Sequence, residues 1–235
     1  VCNDYFQIGN EWSQKTPIRS NMNLELKQYP DKIEIEDKID YLRSMPQPEQ
    51  RTSEWYKFRH QLITASNVGK VFGSEALRNS LIYEKCHPLK DETEVSTNNH
   101  VNITSPLHWG QKYEPLSVML YENKNNTKIE DFGCIQHVNY SFIGASPDGI
   151  NVDPKNDRYG RMLEIKNIVN RDITVPSKAY WVQMQIQMET CDLDECDFLE
   201  TKFLEYESDE EYVNDTETEY KGVMLGIVGI IPSFT

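Results

Sequence analysis

The chain has 235 residues, enough to bury one substantial core and to form one domain or at most two. Its 38% hydrophobic content excludes a disordered chain, and its longest apolar run, residues 222–231, is about half of what crosses a bilayer. The net charge of −14 excludes a uniformly basic nucleic-acid binder, yet the acidity is regional: residues 189–221 hold fourteen acids against two lysines, while residues 41–90 hold eight Lys or Arg against four acids. A basic face can coexist with that acidic segment.

The chain starts with valine and is read as processed or as a fragment. No charged-then-apolar leader opens it. Cys2, Cys86, Cys134, Cys191 and Cys196 make an odd set without a CxxC pair, which argues against a disulfide framework and a zinc site and for a reducing compartment.

Residues 1–35 lack clear periodicity and read as part of an N-terminal extension (1–48), with a short helix at 36–43. Met45-Pro46-Gln47-Pro48 then punctuates the chain. A helix is predicted from Thr52 or Ser53 as cap, with Trp55, Phe58 and Leu62 on one side. A second helix starts near Ser66 and a third covers 75–86. Residues 90–102 read as a mobile loop. An amphipathic helix spans 106–122, with Leu107, Tyr113, Leu116, Met119 and Leu120 available for burial. Strands follow at 132–137, 140–145 and 162–168, then a helix at 177–190 and strands at 198–206 and 223–231, separated by an acidic loop at 207–220. Helices, a strand meander, a helix and further strands suggest an α/β sandwich with a mixed sheet.

The most informative stretch is Ser146-Pro147-Asp148-Gly149, followed by Glu164-Ile165-Lys166. On a strand, Glu164 and Lys166 share a face while Ile165 packs behind them. A hairpin through 153–160 brings Asp148 back beside Glu164. Two carboxylates and an ammonium suit phosphodiester hydrolysis: carboxylates hold Mg²⁺ with waters and substrate phosphate, and the lysine orients or deprotonates the attacking water. An isolated Glu-x-Lys is more often a surface ion pair; the Ser-Pro-Asp-Gly turn at hairpin distance changes that balance. Glu114, in Trp109-Gly110-Gln111-Lys112-Tyr113-Glu114, can reach the same metal, and three such carboxylates would repel one another without a cation.

Four blocks in order make the chain resemble the YqaJ viral recombinase and bacteriophage lambda exonuclease family of PD-(D/E)XK nucleases. They are Trp55-x-x-x-Arg59 running into Ile63-Thr64-Ala65-Ser66; Trp109-Gly110-x-x-Tyr113-Glu114; Ser146-Pro147-Asp148-Gly149 with Leu163-Glu164-Ile165-Lys166; and Tyr180-x-x-Gln183-x-Gln185-x-x-Met188. The Asn-rich composition fits a giant-virus member. The resemblance implies a restriction-endonuclease-like core, a central mixed β-sheet flanked by helices, over residues 49–235. It implies one or two Mg²⁺ ions, with Mn²⁺ substituting, on Glu114, Asp148, Glu164 and the backbone carbonyl of Ile165. Lys166 would contact the attacking water and Gln183 would support the site. Arg59 and Ser66 would hold a terminal 5′-phosphate, a role that bidentate arginine chemistry and a helix N-terminus both suit.

The expected activity is 5′-to-3′ digestion of linear double-stranded DNA to mononucleotides, in viral recombination, repair or processing. The expected partners are DNA ends, a single-strand annealing protein or helicase, and further copies of the chain, with no membrane. The expected location is intracellular: host cytoplasm, viral factory or virion. An endonuclease or broader-substrate nuclease, and a catalytically silent DNA-binding scaffold, are the competing readings. The connection from Asp148 to Glu164 is longer than in lambda exonuclease, and the acidic stretch has no counterpart there. The five histidines lack metal-ligand spacing, and no GxxxxGK[ST] loop or iron–sulfur cysteine set is present.

Overall fold

The computed structural model describes residues 2–15, 32–50, 52–89, 106–173 and 176–226. The strand at its centre is β7 (Met162–Ile168), whose run Met-Leu-Glu-Ile-Lys-Asn-Ile is covered on both faces. It pairs in parallel with β8 (Cys196–Glu205) and antiparallel with β6 (Gly149–Asn151), which pairs with β3 (Ile129–Glu130). On the far side of β8 lie β1 (Cys2–Lys15) and β9 (Lys221–Gly226), giving a six-stranded mixed sheet in the order β3-β6-β7-β8-β1-β9. A smaller sheet joins β2 (Ile63–Thr64), β5 (Ile143–Ala145) and β4 (Ile135–Gln136).

Alternation along β7 sorts the core into two layers. Met162, with Ile150 and Phe198, packs with Met184 and Met188 of α6 (Lys178–Cys191) and with Ile39 and Leu42 of α1 (Lys32–Ser44). Leu163 and Ile165 pack on the other face with Tyr121 and Val118 of α5 (Pro106–Asn125). The result is the expected α/β architecture, a mixed sheet flanked by helices. Three shorter helices, α2 (Ser53–His60), α3 (Ala65–Val71) and α4 (Glu75–Cys86), follow one another before α5. Thr52 caps α2, its hydroxyl accepting from Trp55 N at 3.2 Å, and Ser177 caps α6. A Cβ at Gly69 of α3 would lie 3.4 Å from Ala179 Cβ of α6, so α3 and α6 pack closely.

Several expectations are corrected. The segment read as aperiodic extension supplies β1, fourteen residues long, which pairs with both β8 and β9. The helix expected at 36–43 extends over Lys32–Ser44. Met119 is 61% exposed, because Tyr113, Ser117, Leu120 and Tyr121 define the buried side of α5 and Met119 lies off it. The acidic loop contains a helix, α7 (Asp209–Asn214), capped by Ser208, whose Oγ accepts from Glu211 N, while the Glu211 side chain accepts from Glu207 N at 2.9 Å. The strands near 132–137 and 140–145 are only two and three residues long. Residues 90–102 and 227–231, expected as a loop and as the end of the last strand, and the side chain of Leu107 lie outside the described residues.

The hairpin that returns the chain from β6 to β7 turns at Gly160, whose φ is +79°. A Cβ there would also overlap Ile35 Cγ2 on α1. Gly160→Ala is expected to lower stability by about 2–3 kcal/mol, measured by urea unfolding, from left-handed strain and the clash together.

Candidate active site

Asp148 enters β6 from the Ser146-Pro147 turn. Its N–H donates to the Leu163 carbonyl at 3.1 Å, and its Oδ2 accepts from Ile165 N at 2.6 Å. Both contacts are to β7, so the hairpin brings Asp148 back beside the strand that carries Glu164. A Cβ at Gly149 would overlap Ile129 Cγ2, which explains the glycine after the aspartate: β3 approaches too closely for a side chain.

Glu164 is fully buried. Its Oε1 accepts from Gln183 Nε2 at 2.7 Å and from the Lys166 ammonium. Its Oε2 accepts from Gln187 Nε2 at 2.6 Å. Glu164 and Lys166 therefore project together from one face of β7, as their spacing predicts. Lys166 also lies over the Tyr180 ring, 5.4 Å from its centroid. Gln187 is the residue that motif reading missed. It stands four positions after Gln183, one helical turn along the same face of α6, so both amides converge on one carboxylate. That i, i+4 glutamine pair was the available signal. Gln187 also donates to the Ser146 carbonyl at 3.4 Å, tying α6 to the Asp148 turn.

The charges explain one another. Burial, the Glu164 carboxylate and the Glu114 carboxylate push Asp148 well above the usual carboxylate range, outweighing Lys166 and the Ile165 N–H. Burial pulls the Lys166 ammonium down, but Glu164 and Asp148 more than reverse this and hold it above the ordinary lysine value. Lys166 is thus protonated near neutrality, which favours orienting water over deprotonating it.

Among the described residues, no three His, Cys, Asp or Glu side chains stand together as a ready metal cluster. The donor chemistry nevertheless fits a hard divalent cation. Glu164 Oε2 accepts one hydrogen bond among the described residues, from Gln187, which leaves it a lone pair, and Asp148 engages Ile165 N through Oδ2. One or two carboxylates with waters are what Mg²⁺ requires. A cation there would also relieve the repulsion that raises Asp148.

Of the two residues proposed for a terminal phosphate, Arg59 is tied to the Asp148 turn, whereas Ser66 contacts its neighbour Thr64. Arg59, at the end of α2, stacks over Trp55 with its guanidinium 4.6 Å from the ring centroid, and its NH1 donates to Ser146 Oγ at 2.9 Å. Ser66 is exposed in the first turn of α3, with its hydroxyl 3.2 Å from Thr64 Oγ1. Thr64, not Ser66, holds the N-cap position. His137 is buried and serves a turn, its Nδ1 accepting from the N–H groups of Asn139 and Tyr140.

Residues 54–194 match the family model described as a YqaJ-like viral recombinase domain. The chain belongs to the YqaJ-like viral recombinase family. The match runs from α2 to just beyond α6 and contains every residue of the centre, Arg59 to Gln187, while β1, α1, β8, α7 and β9 fall outside it. An uncharacterized protein of Acanthamoeba polyphaga mimivirus is 32% identical over 201 residues, covering 79% of this YqaJ-like chain and 35% of the relative. The chain thus spans about a third of the length of that relative. Two solved structures are also similar: an alkaline exonuclease (LHK-Exo) from Laribacter hongkongensis, with a TM-score of 0.49, and LHK-Exo in complex with dAMP, with a TM-score of 0.48. Each is 22% identical, over 69% of this chain and 85% of the other. No helix among the described residues is long and apolar enough to cross a membrane.

Proposed function

We propose that this protein is a metal-dependent deoxyribonuclease of the PD-(D/E)XK type, acting as a 5′-to-3′ exonuclease on linear double-stranded DNA and releasing mononucleotides. The carrying observation is the buried Glu164, gripped by Gln183, Gln187 and Lys166 beside an Asp148 whose charge its neighbours disfavour. Such a cluster is costly unless a cation and an anionic substrate use it. Membership of the YqaJ-like family supports the nuclease role.

Glu114, Asp148, Glu164 and the Ile165 carbonyl are the groups assigned to one or two Mg²⁺ ions, with Mn²⁺ as substitute. When bound, the metal acidifies a water and neutralises charge at phosphorus. Gln183 and Gln187 keep the Glu164 carboxylate in one orientation. The Lys166 ammonium orients the attacking water and offsets charge on the phosphate. Arg59 and Ser66 receive the terminal 5′-phosphate. Arg59 bonds to Ser146, two residues before Asp148, so one end-anchoring group is tied to the turn that carries a cleaving group. That proximity supports removal of single nucleotides rather than long fragments. The expected setting is viral DNA recombination, repair or processing inside the infected cell.

The test compares three DNAs with Mg²⁺: linear with 5′-phosphate, linear with 5′-hydroxyl, and covalently closed circular. The 5′-phosphorylated duplex is expected to be digested fastest and the circle to be spared, with Arg59→Ala removing the preference between the two linear ends. Comparable cutting of the circle would sink the exonuclease assignment in favour of an endonuclease. Indifference to the 5′-phosphate would sink the role of Arg59 and Ser66.

A further inference from the structure

Asn167 follows Lys166 on β7 and, by strand alternation, projects from the opposite face, toward α5. Its Nδ2 donates to the Gly110 carbonyl at 2.8 Å. Its Oδ1 accepts from Ser117 Oγ and from Thr201 Oγ1, each at 2.7 Å, and those two hydroxyls lie 2.9 Å apart. Thr201 is the register partner of Asn167 on β8, and both Ser117 and Thr201 are fully buried.

Gly110 and Ser117 stand four residues before and three after Glu114 on α5. At helical spacing all three share one face, so Asn167 grips the helix on the turn before and the turn after that carboxylate. The helix needs such a grip here. Pro115 has no N–H, so the Gln111 carbonyl loses its ladder partner beside Glu114 and the local geometry rests more on outside ties. Only a side chain that donates and accepts at once can serve this node. Aspartate would leave the Gly110 carbonyl without its donor, and leucine would strand all three polar partners, two of them fully buried.

We propose that Asn167 is a positioning residue for the metal centre: by tying α5 to β7 on both sides of Glu114, it fixes that carboxylate against Asp148 and Glu164. The inference rests on the reading of Glu114 as a metal ligand and deepens it. Outer partners that orient a ligand are worth about 10–100-fold in metal affinity.

The test is Mn²⁺ binding to the full chain, followed by electron paramagnetic resonance, for wild type, Asn167→Ala, Asn167→Ser, Glu114→Ala, the Glu114→Ala/Asn167→Ala double variant and Thr201→Val. Both Asn167 variants should raise the Kd for Mn²⁺ about tenfold. Serine keeps a hydroxyl for the node but cannot span to Gly110, so it carries the test if the alanine variant fails to fold. In the Glu114→Ala background the Asn167 substitution should change Kd by less than about twofold, because the ligand it positions is gone. Thr201→Val removes one hydroxyl but leaves both ties to α5, and should cost stability without weakening Mn²⁺ binding. Additive losses in the double variant, or an equal loss in Thr201→Val, would overturn the inference in favour of a merely structural node. Wild-type Mn²⁺ affinity in Glu114→Ala would overturn the ligand reading itself, and the inference with it.

Discussion

Lys166→Ala is expected to lower the single-turnover rate of Mg²⁺-dependent DNA hydrolysis by about 10²–10⁴-fold while leaving Mg²⁺ binding in place. The ammonium sits on Glu164 Oε1, over the Tyr180 ring, at the edge of a centre that otherwise carries only negative charge. Since Glu164 and Asp148 keep it protonated, its loss removes a positive charge and a donor rather than a base. Arginine is a poor replacement, because its planar fork does not reproduce a compact ammonium on one carboxylate oxygen. Stability should move with activity only when metal is absent. Removing one partner of a buried ion pair costs about 3–5 kcal/mol, and less here, roughly 2–3, because Lys166 is a quarter exposed. Urea unfolding in EDTA should detect that loss, and Mg²⁺ should restore much of it. Full activity in Lys166→Ala would remove the residue from the mechanism.

Asp148→Asn should separate function from stability in the opposite direction. The amide oxygen can still accept from Ile165 N, so the turn is retained while a disfavoured buried charge is removed. The metal-free variant should therefore melt higher than wild type by roughly 2–4 °C, which corresponds to about 1 kcal/mol in a chain of this size. With Mg²⁺ the order reverses. Wild type should gain about 2.7 kcal/mol at a hundredfold excess over Kd, on the order of 5–10 °C, whereas the variant gains little and cleaves DNA at least about 10³-fold more slowly. Calorimetry with and without EDTA reads both halves. A variant that melts lower than wild type in EDTA would mean that Asp148 is a structural ion-pair partner instead.

Much of this centre was legible because its groups are local in sequence. Ser146-Pro147-Asp148-Gly149 and Glu164-Ile165-Lys166 lie on adjacent antiparallel strands, so a turn signal and a two-residue period are enough to bring them together. The bounds of β7 and α4 match the sequence reading for related reasons: β7 alternates Leu163 and Ile165 with Glu164 and Lys166 and is closed by turn residues, and α4 starts at the Ser74 cap. β1 was not legible. Its partners lie far along the chain, Asp197 opposite Lys15 and Lys221 opposite Gln7, and the apolar alternation of Phe6 and Ile8 breaks at Asn10, where the pairing itself shifts register. Gln187 escaped because the motif spacing marks Gln183 and Gln185, whereas the helical period puts Gln187 on the face of Gln183. The hold of Lys166 on Glu164 could not be read either, since a shared strand face gives direction but not which charges pair.

The central claim is that Asp148, Glu164 and Lys166 form a metal-dependent DNA-hydrolysing centre. Its most direct test is the release of acid-soluble nucleotides from a 5′-phosphorylated linear duplex, by wild type and by Asp148→Asn, in Mg²⁺ and in EDTA. The expected result is mononucleotides from wild type in Mg²⁺ alone, and none from the variant or in EDTA. Equal release by Asp148→Asn, or release by wild type that EDTA does not stop, would contradict it.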